Sequence, residues 1–161
     1  MRSWRDLLKL LISLAVTYAV AYAGSAYSRP EINTWYAELR KPAFNPPGWV
    51  FMPVWTVLYT LMAIAAYLVW QSRVHNRFKV LALSVYLVQL GLNFLWTYLF
   101  FAMRQPSYAL LNIVALWLMI AITMTLFTRI SRVAGLLLVP YLAWVTFAAI
   151  LNSEIWRLNR P

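Results

Sequence analysis

Five apolar runs alternate with short polar intervals along the chain, at Leu7 to Tyr27, Val50 to Trp70, Val80 to Phe101, Tyr108 to Phe127 and Ala134 to Trp156. A hydrocarbon core about 30 Å thick is crossed by about 20 mostly apolar helical residues, so each run predicts a transmembrane helix. The first follows a basic start, "MRSWRDLLK", but it is longer than the roughly 7 to 15 residues of a signal-peptide core. Tyr18, Tyr22 and Tyr27 continue to its end, and it reads as a retained helix. The connectors near 71–79, 102–107 and 128–133 are brief. The predicted fold class is an all-α integral membrane protein, one five-helix transmembrane domain over 1–161.

The remaining interval, 29–48, differs from the others. From Trp35 to Trp55 the chain reads "WYAELRKPAFNPPGWVFMPVW", with Trp35, Trp49 and Trp55, four prolines and a cluster of charges. A plain connector hydrogen-bonds to water and is polar and short. This one is aromatic and stiffened, which calls for a further role.

Helical periodicity indicates what the spans turn inward. In the third, Tyr86, Gln89, Asn93, Trp96 and Phe100 share one face. Two amides at mid-membrane admit two readings. Interhelical hydrogen bonding is one, worth about 0.6 kcal/mol on average. The other is that Asn93, with two donors and an acceptor, orients a ligand in an apolar pocket. In the fifth span Tyr141, Trp144, Ala148, Asn152 and Ile155 share a face, and Pro140 in the first two turns predicts a bend. This stripe of large, small and amide side chains predicts a gap beside Ala148, walled by Trp144. In the second span Tyr59 and Met62 extend the face of Trp55, which the proline-rich interval delivers to the bundle. The alanines Ala15, Ala19 and Ala23 form a small-residue stripe on the first span.

Composition agrees with a membrane solvent: 63% of residues are hydrophobic, 11% are charged and the mean hydropathy is +0.67. Trp4, Trp49, Trp70 and Trp156 fall at predicted membrane edges, where aromatic belts form. Trp55, Trp96, Trp117 and Trp144 lie deeper, where an indole N–H needs a partner or a ligand; core packing accounts for Trp117. With no cysteine there is no disulfide or thiolate ligand.

The net charge of +10 is spread over helix ends instead of forming a nucleic-acid stripe, so anionic lipid head groups are the expected partner and nucleic acid is not. With alternating spans, Arg2, Arg5, Lys9, Arg73, Arg77, Lys79, Arg129 and Arg132 share the N-terminal side. Arg29, Arg40, Lys41, Arg104, Arg157 and Arg160 share the other. This bias places the N-terminus in the cytoplasm, with a bacterial cell membrane as the expected location and an outer membrane left open.

No acid, base and nucleophile come together in the sequence. Ser25, Ser84 and Ser153 have no histidine nearby, and Asp6, Glu31, Glu38 and Glu154 fall near membrane edges. The single histidine, His75, is expected in a solvated loop on the side opposite 29–48. No catalytic residue and no metal ligand are predicted. Glu154, the one acid inside a span, is expected to meet Arg157 at i, i+3; a bond to Arg40 or Lys41 is the alternative.

The run "WYAELRKPAFNPPGWVFMPVWTVLY" resembles the signature of the TspO/MBR family, the translocator proteins also called peripheral-type benzodiazepine receptors. The likeness continues in "QLGLNFLWTYLFF" and "VPYLAWVTFAAILNSEIWRLN", covering nearly the whole chain. It implies a five-helix bundle, a homodimer, and a cavity opening toward the first loop that takes porphyrins, synthetic aromatic amides and, in some members, cholesterol. By this resemblance Trp55 and Asn93 are polar ligand contacts, and Trp144 and Ala148 wall the cavity, with Tyr59 on the Trp55 face. Trp35 and Tyr36 belong to the covering loop, a lid stiffened by Pro42, Pro46 and Pro47.

The expected ligand is protoporphyrin IX or haem, bound by its ring and edges with no axial histidine and no required cofactor. Arg40 and Lys41 would offer a cationic rim to its propionates. At the sterol motif the chain departs from the animal pattern: "LNSEIWR" places Trp156 where a tyrosine is expected. The implied function is a tetrapyrrole-binding membrane protein that senses, carries or sequesters its ligand. The alternatives are light-dependent porphyrin degradation and transport of porphyrins or sterols.

Overall fold

A computed structural model describes residues 3–160, so Arg2 of the basic set lies outside the described residues. The chain forms α1 (Trp4–Ile32), a short α2 (Trp35–Glu38), α3 (Gly48–Gln71) and α4 (Asn76–Thr97), which runs into a π-helical turn at Tyr98–Ala102. It continues with α5 (Pro106–Ile130), α6 (Arg132–Leu137) and α7 (Val139–Leu158). Five helical stretches are long and apolar enough to cross a membrane, α6 and α7 together making the fifth.

The helix starts follow local chemistry. Ser3 accepts from the Arg5 amide at 3.3 Å with Asp6 in the first turn, and Ser131 accepts from the Ala134 amide at 3.3 Å. Each satisfies an amide that the first helical turn leaves unpaired. His75 is exposed and caps α4, its Nδ1 accepting from the Arg77 amide at 3.4 Å. Pro106 and Pro140 occupy the first turns of α5 and α7, where a missing N–H costs nothing. Pro140 thus marks the break between α6 and α7, where the sequence predicts a bend.

The helices form a ring in the order α3, α1, α4, α5, α7, and α6 closes it by packing back on α3. α7 itself scarcely touches α3. The close seat of α6 on the end of α5 requires Gly135, because a Cβ there would overlap Thr128 Oγ1 and lie 2.9 Å from Thr128 Cβ and 3.0 Å from its Cα. The inner half of the bundle, toward the N-terminal side, is filled by Met62, Val69, Tyr86, Ile120 and Phe127, all at most 3% exposed.

Two features depart from the sequence reading. The loop was expected from residue 29, yet α1 continues through Arg29 and Pro30 to Ile32, and α2 interrupts the remainder. Pro30 removes one hydrogen bond in the last turn, where water can serve the freed Ala26 carbonyl. In α1 the inward face is Ser13, Thr17 and Gly24, whereas Ala15 and Ala19 are exposed and point away from the bundle.

Candidate functional site

A buried chain of polar groups crosses the bundle beneath the first loop. The Tyr59 hydroxyl of α3 donates to Asn93 Oδ1 of α4 at 2.6 Å, and Asn93 Nδ2 donates to the Tyr141 hydroxyl of α7 at 2.9 Å. Tyr141 donates in turn to Gln89 Oε1 at 2.9 Å, and Gln89 Nε2 points at Met62 Sδ from 3.8 Å. Each donor thereby finds an acceptor where no water could serve it. This is the interhelical reading of the mid-membrane amides: Asn93 is buried and bonded through both its side-chain atoms. One lone pair and one N–H of the amide remain uncommitted by these two bonds.

Around this polar chain the rings pack in three sets. Trp55 packs on Tyr59 at 5.5 Å between centroids and edge-on to Tyr141 at 6.3 Å. Trp144 meets Phe51 at 6.1 Å and Phe147 at 5.3 Å. On α4 the π-helical turn inserts an extra residue per turn, so the consecutive Phe100 and Phe101 both reach the same side. Phe100 stacks on Trp96 at 5.3 Å, while Phe101 lies 6.3 Å from it, edge-on.

The first loop covers this platform. Trp35 lies 5.7 Å from Phe100, and Tyr36 lies 6.1 and 5.9 Å from Phe100 and Phe101. Tyr36 donates to Asn45 Oδ1 at 2.9 Å, and burial of its phenol pushes the pKa up to about 12, against the opposing pull of that bond. Pro42 accepts from the Asn45 amide at 3.0 Å, and Pro47 caps the start of α3 next to Pro46. Phe44 reaches α7 at Phe147, 6.2 Å away. Just past α2, Arg40 and Asn159 exchange two hydrogen bonds, N–H to Oδ1 at 2.9 Å and Nδ2 to carbonyl at 2.8 Å.

The indoles divide into two groups. Trp96 donates to Asn152 Oδ1 at 3.0 Å and Trp117 to Thr146 Oγ1 at 2.8 Å. Asn152 also donates to the Pro106 carbonyl at 2.8 Å, tying α7 to the start of α5. The N–H groups of the other seven, Trp35, Trp55 and Trp144 among them, meet no acceptor among the described residues, and none of these three is a sealed orphan.

Several expectations change. A gap is present beside α7, but it is an open groove of about 600 Å³ between α3 and α7, lined by Pro53, Val57, Pro140, Ala143 and Trp144. It lies beside Ala143 on the outer face, where α7 scarcely touches α3. Ala148 is half-buried and packs against the core. The Lys41 ammonium is turned back onto α2, donating to the Ala37 and Leu39 carbonyls at 3.0 Å each and lying 4.9 Å from the Tyr36 ring. It satisfies a helix C-terminus instead of standing free at a rim. Glu154 binds Arg157 at 2.7 Å and 3.0 Å, so the loop is not held by that acid. Among the described residues no three His, Asp or Glu side chains cluster as a metal site.

Phe51, Phe101, Tyr141, Asn152 and Asn159 were not among the site residues read from the sequence. Tyr141 and Asn152 lay on the inward stripe of the fifth span, and that periodicity was the available signal. The π-helical turn leaves no trace in the apolar pattern.

The TspO/MBR family model matches residues 13–157. The tryptophan-rich protein TspO of Archaeoglobus fulgidus is 42% identical over 96% of this chain and 99% of its own. The tryptophan-rich sensory protein of Cereibacter sphaeroides is 43% identical, covering 92% and 90% of the two chains. The human translocator protein is 40% identical over 86% of this chain and 82% of its own.

Proposed function

The chain belongs to the TspO/MBR family and is an integral, multi-pass membrane protein, and from that premise we propose that it binds a planar tetrapyrrole under its first loop, to sense, carry or sequester it. The observation that supports this most directly is the packing of Trp35 and Tyr36 of the first loop over Phe100 and Phe101, with Trp96 stacked on Phe100 beneath. Trp35, Trp55 and Trp144 each pack on other rings and keep an N–H donor without an acceptor among the described residues, whereas the indoles of Trp96 and Trp117 are bonded within the protein. A flat macrocycle gains from edge and face contact with such rings, and its polar edge gives the free donors an acceptor.

In this reading Trp55, Tyr59 and Asn93 form the floor of the site, Trp144 with Ala148 forms the α7 wall, and Trp35 and Tyr36 form the cover. Asn93 offers the ligand its remaining lone pair and N–H, while its bonds to Tyr59 and Tyr141 fix their direction. The ring binds without an axial histidine: His75 caps α4 at the opposite end of the bundle.

Titration of the detergent-solubilised protein with protoporphyrin IX in the dark, followed by tryptophan quenching, tests the reading. Saturable quenching that weakens in Trp55→Phe is expected, with haem and the metal-free porphyrin binding comparably. Absence of saturable quenching would overturn the proposal. Irradiation of the saturated complex separates binding from light-dependent degradation, since only the latter yields a new pigment.

A further inference from the structure

The first loop is fastened at one point that none of its aromatic contacts explains. Arg40 lies exposed just past α2, and its backbone N–H and C=O are both taken up by the side chain of Asn159, 119 residues away at the end of α7. The second Nδ2 proton goes to the Ile155 carbonyl at 2.7 Å, so all of the amide's directional capacity is engaged but one lone pair. A side-chain amide here takes the part of a peptide group and pairs with Arg40 as one strand pairs with another. The charged groups nearby take no part: Glu154 is occupied by Arg157, and Lys41 by the α2 carbonyls.

We infer that Asn159 is the latch of the first loop, a positioning residue that holds Trp35 and Tyr36 over the aromatic platform. α7 carries both the latch and Trp144, so the cover and the wall of the site are set by one helix. Released from Asn159, the loop keeps its ring contacts but loses the anchor beside α2. Opening then becomes a local event that leaves the five spans in place. As a gate for the ligand this rests on the tetrapyrrole reading; as a fastening of the loop it does not.

Trypsin reports the latch without any ligand. The Arg40–Lys41 bond is its target in the loop, since the bonds after Arg29 and Lys41 precede prolines. Asn159→Ala is expected to speed cleavage after Arg40 by roughly 5- to 30-fold, the equilibrium change that one or two such bonds carry. Asn159→Asp has nearly the same shape but turns an oxygen toward the Arg40 and Ile155 carbonyls, so it should open the loop at least as much. A packing role would leave the aspartate variant at the wild-type rate, and that result would overturn the inference. Glu154→Gln, which breaks the exposed pair in the same last turn of α7, is expected to leave cleavage unchanged; an acceleration equal to that of Asn159→Ala would also overturn it, by assigning the effect to fraying of α7. With protoporphyrin IX as probe, faster association and dissociation in Asn159→Ala supports the gating role. Faster proteolysis in a protein that shows no porphyrin quenching supports the latch and overturns the ligand reading alone.

Discussion

The Tyr59 hydroxyl and Asn93 Oδ1, on neighbouring helices and both buried, are joined over 2.6 Å. Asn93 therefore serves the fold before it serves a ligand. Asn93→Ala leaves the hydroxyl of Tyr59 without its acceptor and that of Tyr141 without its donor. Lost interhelical bonds of this kind cost about 0.6 kcal/mol on average and up to about 1.7 in a membrane, so a lower melting temperature in detergent is expected alongside weaker porphyrin binding.

Trp55→Phe should behave differently. Its indole N–H bonds to nothing among the described residues, so truncation to a smaller ring removes a ligand donor while leaving the Tyr59–Asn93–Tyr141 chain intact. Affinity for protoporphyrin IX is expected to fall by about 0.5–1.5 kcal/mol with thermal stability close to wild type. A large loss of stability with unchanged affinity would reassign Trp55 to packing.

Gly135 is the position least able to take a side chain. Gly135→Ala forces α6 away from the end of α5, at about 1–3 kcal/mol for an overpacked contact, measurable as a drop in melting temperature. Adding Thr128→Ala should recover only part of it, because the backbone Cα and the Cβ of residue 128 stay within 3.0 Å of the new methyl.

Closure of the first loop should weaken in strong alkali. Burial holds the Tyr36 phenol at a pKa of about 12, above its ordinary value near 10. The closed state thus binds that proton more tightly than the open one. Its contribution is fully present below pH 10 and is lost as the pH rises toward 12. Tryptophan fluorescence followed through this window should change in the wild type and flatten in Tyr36→Phe.

The prolines of the loop give a kinetic expectation. Pro42→Gly with Pro47→Gly should raise the entropic cost of ordering the segment by about 0.4–1 kcal/mol per site. Porphyrin affinity falls modestly while association and dissociation both quicken in stopped-flow quenching. Identical dissociation rates in wild type and double variant would make the loop a fixed wall.

The five spans were legible because a bilayer demands long apolar runs, and no other feature of this chain competes with that signal. The inward face of α4 was legible from periodicity, since Tyr86, Gln89, Asn93 and Phe100 recur at helical spacing and all four are buried, whereas the alanine stripe of α1 was not a guide to its inward face. The end of α1 was misread because Arg29 and Pro30 carry the marks of a stop, although a proline in a last turn bordering water does little harm. The pairing of Arg40 with Asn159 has no local signature. It joins backbone at one end of the chain to a side chain at the other, and only the ring order of the helices brings them together. Likewise, a hydrogen-bond shift of one residue at Tyr98–Ala102 changes which rings converge without altering the hydropathy that predicts the span.

α1 has 29 residues, which at about 1.5 Å each make a rod of about 43 Å, well beyond a hydrocarbon core of about 30 Å. A helix with such an excess must tilt or project. α2 and the rest of the first loop are attached directly to its far end, so the height of the cover above the acyl chains is set by the inclination of α1. Bilayer thickness thereby becomes a mechanical input to the first loop: a thin membrane leaves more of the rod standing clear, and a thick one draws Trp35 and Tyr36 down toward the lipid.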